Sequence, residues 1–416
     1  MAKLARMRRA QVETPVERLL DIVRQNLHLP EPGAFYAVMG TLAANLMQGV
    51  PVWTMLVGPP SCGGTELLNL LDDIPGVIGA GGIEGRAAFL SGTPNKDKTS
   101  MSTGGLLKQI GNHGAMLIKD FTEIVSLPDN KYHEVMGVLR RVYDGEWERP
   151  VGSDGGKTLY WKGKLAILGK TTGAIDAHLP ATAALGERWL YFRYPKEDPD
   201  YEKTRRSMLN ANRNGWNSQL AVLVSNFFAL DLELEFGHFL PRRDPTDAEM
   251  SRVSSIGALA ARCRSAVSRD TRTKEALGCH DTESNTRITT ALAQLLIAME
   301  FIGIREHERW QLIGKMALDS MPLMRQKVFF SALKADKEIG RILNGGRTQE
   351  AAGVSNGAIH FDQLLKVAQS GQGVLERTIQ DLEVQGVVRQ ERVRGEGVWV
   401  QVSPLARDLY KKGWVR

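Results

Sequence analysis

The apolar positions Leu19, Leu20, Ile22, Val23 and Leu27 recur with a helical period and predict an amphipathic helix over residues 15–29, ending before Pro30. A second helix is expected over residues 34–47. The texture then changes. From Val52 to about Pro195, short apolar runs alternate with Gly-rich turns, the pattern of buried strands separated by helices. From Tyr201 to about Leu343 it gives way to long periodic stretches, among them 254–267 and 289–301, which predict helix throughout. Gly345-Gly346 and the small polar residues up to Gly357 read as a linker. The last stretch reads as a short helix over 361–368, a turn at Ser370-Gly371 and a longer helix with Leu375, Ile379 and Leu382 on one face. Two strands, 387–393 and 398–402, and a helix over 404–412 complete it. The expected organisation is a helical N-terminal segment (1–50), an α/β core (51–200), a helical domain (201–344) and a small C-terminal domain (345–416).

At 416 residues, with 43% hydrophobic and 24% charged residues, the chain has the profile of a multi-domain globular protein, which excludes the disordered, collagenous and disulfide-scaffold classes. Cys62, Cys263 and Cys279 are scattered without a CxxC or Cys/His pairing, so a reducing compartment is expected and zinc is not. Lys3, Arg6, Arg8 and Arg9 lead into Gln11 and Glu13, not into an apolar run. The most apolar segment, 292–304, is broken by Gln294 and Glu300, short of the roughly 20 residues that a bilayer crossing takes. A cytoplasmic protein with no membrane partner is the expectation. The net charge of +6 says little about a polyanionic partner. Its distribution says more: Arg389, Arg392, Arg394, Arg407, Lys411, Lys412 and Arg416 outnumber Glu391, Glu396 and Asp408, so the C-terminal end is basic.

Candidate chemistry gathers in the core. The apolar run 53–57 leads into Gly58-Pro59-Pro60-Ser61-Cys62-Gly63-Gly64-Thr65 and a helical run over 66–71. The spacing of Gly58 and Gly63 and the hydroxyl of Thr65 match G-x-x-x-x-G-K-[ST], a loop whose backbone N–H groups cradle phosphate. Only the lysine fails, because Gly64 stands in its place. Gly156-Lys157-Thr158 and Gly169-Lys170-Thr171 contain the same tripeptide without the preceding glycine and are read as coincidental. The strand-like run 115–118 ends in Lys119-Asp120-Phe121-Thr122-Glu123. A carboxylate there can hold Mg²⁺, and a second can orient attacking water. Asp120, with Thr65, is the metal-side candidate, and Glu123 the candidate base, a role that Asp120 itself can also fill. Thr171 or Thr172, after the apolar run 164–168, can hydrogen-bond a terminal phosphate, and Arg188, just before the run 190–194, can stabilise charge in a neighbouring subunit's site. Segments 148–151 and 158–161 flank Ser153-Asp154-Gly155-Gly156, which predicts a hairpin made basic by Arg149, Lys157, Lys162 and Lys164.

In this order and spacing the set resembles the AAA+ ATPases over roughly residues 52–305. Within them it resembles the branch with a hairpin before the first sensor strand, such as the minichromosome maintenance helicases and related phage or plasmid replication proteins. The resemblance implies an α/β AAA+ P-loop core with a helical lid. Gly58–Thr65 becomes the Walker A loop, Asp120 part of Walker B, Thr171 sensor 1 and Arg188 the arginine finger. Arg287, after Thr282-Glu283-Ser284-Asn285-Thr286 at the start of a long helix, becomes sensor 2. Implied too are ATP and Mg²⁺, a homo-oligomeric ring of hexamer type, and hairpins that touch DNA in its pore. The C-terminal order of helix, turn, helix and wing resembles a winged-helix domain. Arg377 and Gln380 would face the major groove, and Arg389, Arg392 and Arg394 the DNA backbone.

A DNA helicase or replication initiator of a phage or mobile element is the expected function. The alternatives are a DNA-binding assembly protein gated by nucleotide without hydrolysis, and a winged-helix transcription regulator. Gly64 bears on the choice. A lysine at ~4 Å from phosphate is worth of order 4 kcal/mol at an effective dielectric near 20, before desolvation. Its absence puts hydrolysis in question while the backbone cradle and Thr65 remain. Natural loss, an introduced change, or another lysine such as Lys119 or Lys170 in its role each account for Gly64.

Overall fold

A computed structural model describes residues 13–29, 31–92, 104–152, 156–178, 187–195, 201–211, 215–270, 272–273, 275–279, 284–343 and 354–415. The basic N-terminal nine residues, the hairpin positions Ser153 to Gly155, Thr282 and Glu283, and Gly345-Gly346 lie outside the described residues. The chain divides into two compact units, the first made of the stretch up to Gly173, Phe192–Arg243 and Gln294–Leu312, and the second of Ala174–Tyr191, Asp244–Ala293 and Ile313–Arg416.

The first unit opens with α1 (Pro15–Asn26), where Thr14 Oγ1 accepts from the Glu17 amide and the Glu17 carboxylate accepts from the Thr14 amide, a capping box. α2 (Gly33–Leu46) is buried from Ala34 to Leu46, as a helix apolar all round must be. Then come β1 (Trp53–Val57), β2 (Val77–Gly79), β3 (His113–Ile118), β4 (Glu146–Val151), β5 (Lys157–Lys162), β6 (Lys164–Thr171) and β7 (Trp189–Arg193), of which only Phe192 and Arg193 fall in the first unit. Five of these form one sheet in the order β2-β3-β6-β1-β7, with parallel pairing from β2 through β1. Strands buried on both faces read as continuous apolar runs, which is why β1, β3, β6 and β7 were legible. Between and after them run α3 (Gly64–Asn69), α4 (Arg86–Phe89), α5 (Leu106–Ile110), α6 (Thr122–Val125), α7 (Asp129–Tyr143), α8 (Tyr201–Ala211) and α9 (Trp216–Asn226), the last continued by a π-helical turn, Phe227–Asp231. Trp53 of β1 is 1% exposed, donates from Nε1 to Leu165 O at 2.7 Å and meets Tyr143 edge-on at 5.1 Å.

β4 and β5 form the predicted hairpin as a separate two-stranded ladder that pairs Trp147 with Trp161 and Arg149 with Leu159. At its root the Gly163 amide donates to Gly145 O at 2.9 Å and the Lys164 amide to Asn112 O at 2.9 Å. A Cβ on Gly163 would lie 2.1 Å from Asn112 O, so the backbones approach too closely there for any other residue.

The second unit contains α10 (Asp247–Arg264), the short pair β8 (Ser268–Arg269) and β9 (Ala276–Gly278), and parts of α11 (Thr286–Phe301) and α12 (Glu306–Asp319). It continues through α13 (Leu323–Ala335), α14 (Lys337–Leu343), β10 (Val354–Ser355), β11 (Ala358–His360), α15 (Phe361–Ala368), α16 (Gln372–Val384), β12 (Val388–Val393), β13 (Gly397–Val402) and α17 (Pro404–Trp414). β10-β11-β13-β12 make an antiparallel sheet. Two expectations change. The stretch 201–343 is not helical throughout, since β8 and β9 interrupt it, and it does not form one body. The C-terminal domain also begins upstream of residue 345: Val328, Phe329, Ala332 and Leu333 of α13 pack in one core with Leu364, Leu375, Ile379, Leu382, Val400 and Tyr410. Periodicity marks α13 as a helix but does not say which core its apolar face joins. No helix among the described residues is long and apolar enough to cross a membrane.

Candidate functional site

The Gly58–Thr65 loop leaves the carboxyl end of β1. The Gly58 amide donates to Thr171 O at 3.1 Å and the Tyr194 amide to Val57 O at 2.8 Å, which seats the loop where β6 and β7 end. A Cβ on Gly58 would lie 2.8 Å from Cys62 Sγ and 2.9 Å from Tyr194 Cδ2, so this position needs glycine. Ser61 and Gly63 adopt left-handed backbone, φ 62° and 85°. Ser61 does so without glycine's freedom, the kind of local strain that concentrates at ligand sites. Pro59, Pro60 and Ser61 are exposed, whereas Cys62 is turned inward, 8% exposed.

Asp120 follows β3, one strand beyond β6. The Phe121 amide donates to Lys170 O at 2.8 Å, so the carboxylate stands next to the end of β6. Asp120 is exposed, and its Oδ1 accepts from the Thr122 amide at 3.0 Å, which starts α6. Glu123 is exposed on α6. Among the described residues no three His, Cys, Asp or Glu side chains cluster as a protein-only metal site. A Mg²⁺ ion held by Thr65 and Asp120 would therefore take its other ligands from phosphate and water, as Mg²⁺ commonly does.

Lys119 is bound to Asp72, Nζ to Oδ2 at 2.6 Å. Lys170 is different. It is half-buried, and a Cβ built on Gly64 would meet its Cγ at 3.0 Å, with Cys62 Sγ and Tyr194 Cε2 at 3.7 Å. Thr171 is 0% exposed, and its Oγ1 has no hydrogen-bond partner among the described residues. Successive strand residues point to opposite faces, so the side chain that β6 turns toward the loop is Lys170, not Thr171. Arg188 and Arg287 belong to the second unit, just before β7 and in the first turn of α11. Glu187, 4% exposed, accepts from the Arg188 and Trp189 amides at 2.9 and 3.0 Å and from the Tyr191 hydroxyl at 3.1 Å.

The hairpin is less basic than expected. Glu146, Glu148, Thr158, Tyr160 and Lys162 are exposed, and Lys162 stands opposite Glu146. Lys157 is half-buried, and Arg149 donates to Leu90 O. Lys164 is not part of the hairpin. It lies in β6, and its Nζ donates to Met47 O at 2.6 Å and Ala44 O at 3.2 Å, satisfying carbonyls at the end of α2. Phe239 lies under it at 5.6 Å, and His113 beside it bonds Asn45 O and the Gly237 amide. Burial, then the charge of Arg242, lowers the Lys164 pKa to about 7. Between pH 7 and the usual lysine range the unfolded chain binds a proton here that the folded chain does not, so stability gains with rising pH. Thermal melts should show the wild type gaining on Lys164→Met from pH 7 to 10. A constant difference across that range would refute the assignment.

In the C-terminal domain, Arg377 bonds Gly373 O of its own helix at 2.9 Å, and Gln380 Oε1 accepts from Arg269 Nη1 at 3.2 Å. Arg269 also donates to Arg377 O at 2.8 Å and to Asp381, so part of the face carrying these residues is already engaged by β8. α16 carries Glu376, Asp381 and Glu383 against Arg377, a poor match to DNA phosphates. Arg389 and Arg392 of β12 and Arg394 just after it are exposed. Arg392 lines a groove of about 570 Å³ with Gln372, Glu376, Gln380, Gln390 and Glu396. Sequence reasoning missed Arg269, whose pairing partners lie more than a hundred residues away. Compared with known proteins, the chain matches no protein-family model and no curated protein.

Proposed function

We propose that the chain is a nucleotide-binding protein of the AAA+ type, with a C-terminal winged-helix domain, that assembles as a homo-oligomeric ring and acts on DNA as a helicase or replication initiator of a phage or mobile element. The observation that carries this reading is the seat of the Gly58–Thr65 loop at the carboxyl end of β1 beside β6, with Asp120 at the end of β3. In an open parallel sheet a ligand lies outside the carboxyl ends of the strands where the connections diverge. Here β1 leads to β2 at one edge and β6 leads to β7 at the other. Under this reading the loop amides and Thr65 hold the phosphates, Asp120 holds hydrated Mg²⁺, and Arg188 acts on a neighbouring subunit's nucleotide. The ion supplies positive charge to the phosphate oxygens as negative charge develops. DNA contact falls to Arg389 and Arg394 of the wing more than to α16 or the hairpin stem.

Gly64 favours a second reading, an assembly protein that binds nucleotide without hydrolysing it. DNA-stimulated ATP hydrolysis and Mg-ATP binding separate the two. The wild type is expected to bind and turn over ATP. Asp120→Asn should keep binding and lose at least about 100-fold in turnover, and Arg389→Ala/Arg394→Ala should lose stimulation by DNA with a shallower salt dependence. Binding without turnover would establish the second reading. No binding at millimolar ATP would refute both.

A further inference from the structure

We infer that Lys170, carried on β6, supplies the phosphate-binding charge that the loop lacks at Gly64, so that the terminal phosphates of a nucleoside triphosphate are held by a lysine from the neighbouring strand. This deepens the nucleotide-binding reading above and rests on it.

The two positions share one space. Lys170 Cγ stands 3.0 Å from where a Cβ of residue 64 would be, so the stem of Lys170 occupies the volume that a side chain at 64 would enter. From that point the chain still has two methylenes and an ammonium to extend. Cys62 Sγ and Tyr194 Cε2, each 3.7 Å from the same Cβ position, make the other walls. Asp120 enters from β3, whose end is tied to Lys170 by the 2.8 Å bond from the Phe121 amide to Lys170 O.

No described residue places a hydrogen-bond acceptor or a carboxylate on Lys170 Nζ, although the residue is half-buried. An ammonium with no partner among the described residues at this end of the sheet is free to pair with an incoming anion. The other lysine at this end of the sheet, Lys119, already has its anion in Asp72. Ser61 and Gly63 keep the loop in the left-handed conformations that let backbone N–H groups gather around the same guest. Amides, a hydroxyl at Thr65 and one ammonium form a recognition set for a polyphosphate.

Shared space makes the test reciprocal. Binding of a fluorescent ATP analogue with Mg²⁺ is titrated on the full chain for the wild type, Lys170→Met, Lys170→Ala, Gly64→Lys and Gly64→Lys/Lys170→Ala, with thermal melts reporting folding. Lys170→Met keeps the stem and removes the charge. It should weaken binding about 30-fold or more, as should Lys170→Ala. Gly64→Lys alone should bind no more tightly than the wild type, because its stem collides with that of Lys170. The double variant frees the space and should return to within about threefold of the wild type. Wild-type affinity in folded Lys170→Met overturns the inference and leaves nucleotide binding standing. So does a folded double variant that stays as weak as Lys170→Ala. If neither the wild type nor the double variant binds, nucleotide binding itself is wrong and the inference falls with it.

Discussion

Replacing Arg325 by methionine is expected to destabilise the second unit by about 4 kcal/mol. Arg325 is 5% exposed. Its Nη1 donates to Cys263 O at 3.1 Å and Ser265 O at 2.8 Å, and its Nη2 to Asp381 Oδ2 at 2.9 Å. One guanidinium thus ties α13 to the end of α10 and to α16. Methionine fills much of the volume but leaves a half-buried carboxylate with only Arg269 and removes the guanidinium donor from Cys263 O, while Ser265 O keeps the Gln385 side-chain amide at 2.6 Å. Asp381→Leu in the Arg325→Met background should recover part of the loss, because it removes the stranded charge. Urea unfolding of the single and double variants measures both effects. A loss under about 1 kcal/mol for Arg325→Met would place the guanidinium among weak surface pairs instead.

Trp53→Ala should cost a similar ~4 kcal/mol, for a different reason. The loss is a cavity beside Tyr143 and a donor withdrawn from Leu165 O. Trp53→Phe refills part of the space without replacing the donor, so its cost should be intermediate. Because β1 runs directly into Gly58, the alanine variant should, under the nucleotide-binding proposal, also weaken Mg-ATP binding. Unfolding midpoints for both variants decide the matter, and equal costs for alanine and phenylalanine would mean that the hydrogen bond outweighs the packing.

The first unit was more legible than the second for a physical reason. A buried parallel strand is a run of apolar residues with turn signals at both ends, and the Gly-rich loop, Asp120 and the Asp-Gly hairpin lie within a few residues of such runs. What was not legible depends on partners distant in sequence. Lys164 looked like hairpin charge because nothing local shows that the end of α2 waits for a donor there. A strand of apolar residues does not say which of two successive polar side chains, Lys170 or Thr171, faces the loop. The kinship of α13 with the C-terminal core and the Arg269–Asp381–Arg325 group arise only when the chain is folded. Gly64 alone pointed beyond its own segment: a missing charge in an otherwise complete loop is a reason to look for one elsewhere.

β6 connects the hairpin root to the Gly-rich loop. Its eight residues reach from Lys164, next to the hairpin root, to Thr171, next to the loop, a span of roughly 25 Å. β3 and β1 grip it in register along that length, and at Gly163 the contact with Asn112 O leaves no slack. A strand paired on both sides in this way fixes the distance between the hairpin root and the end that faces the Gly-rich loop. The bond from the Gly163 amide to Gly145 O joins both legs of the hairpin at that root, so the hairpin and the loop are anchored on opposite ends of one buried strand.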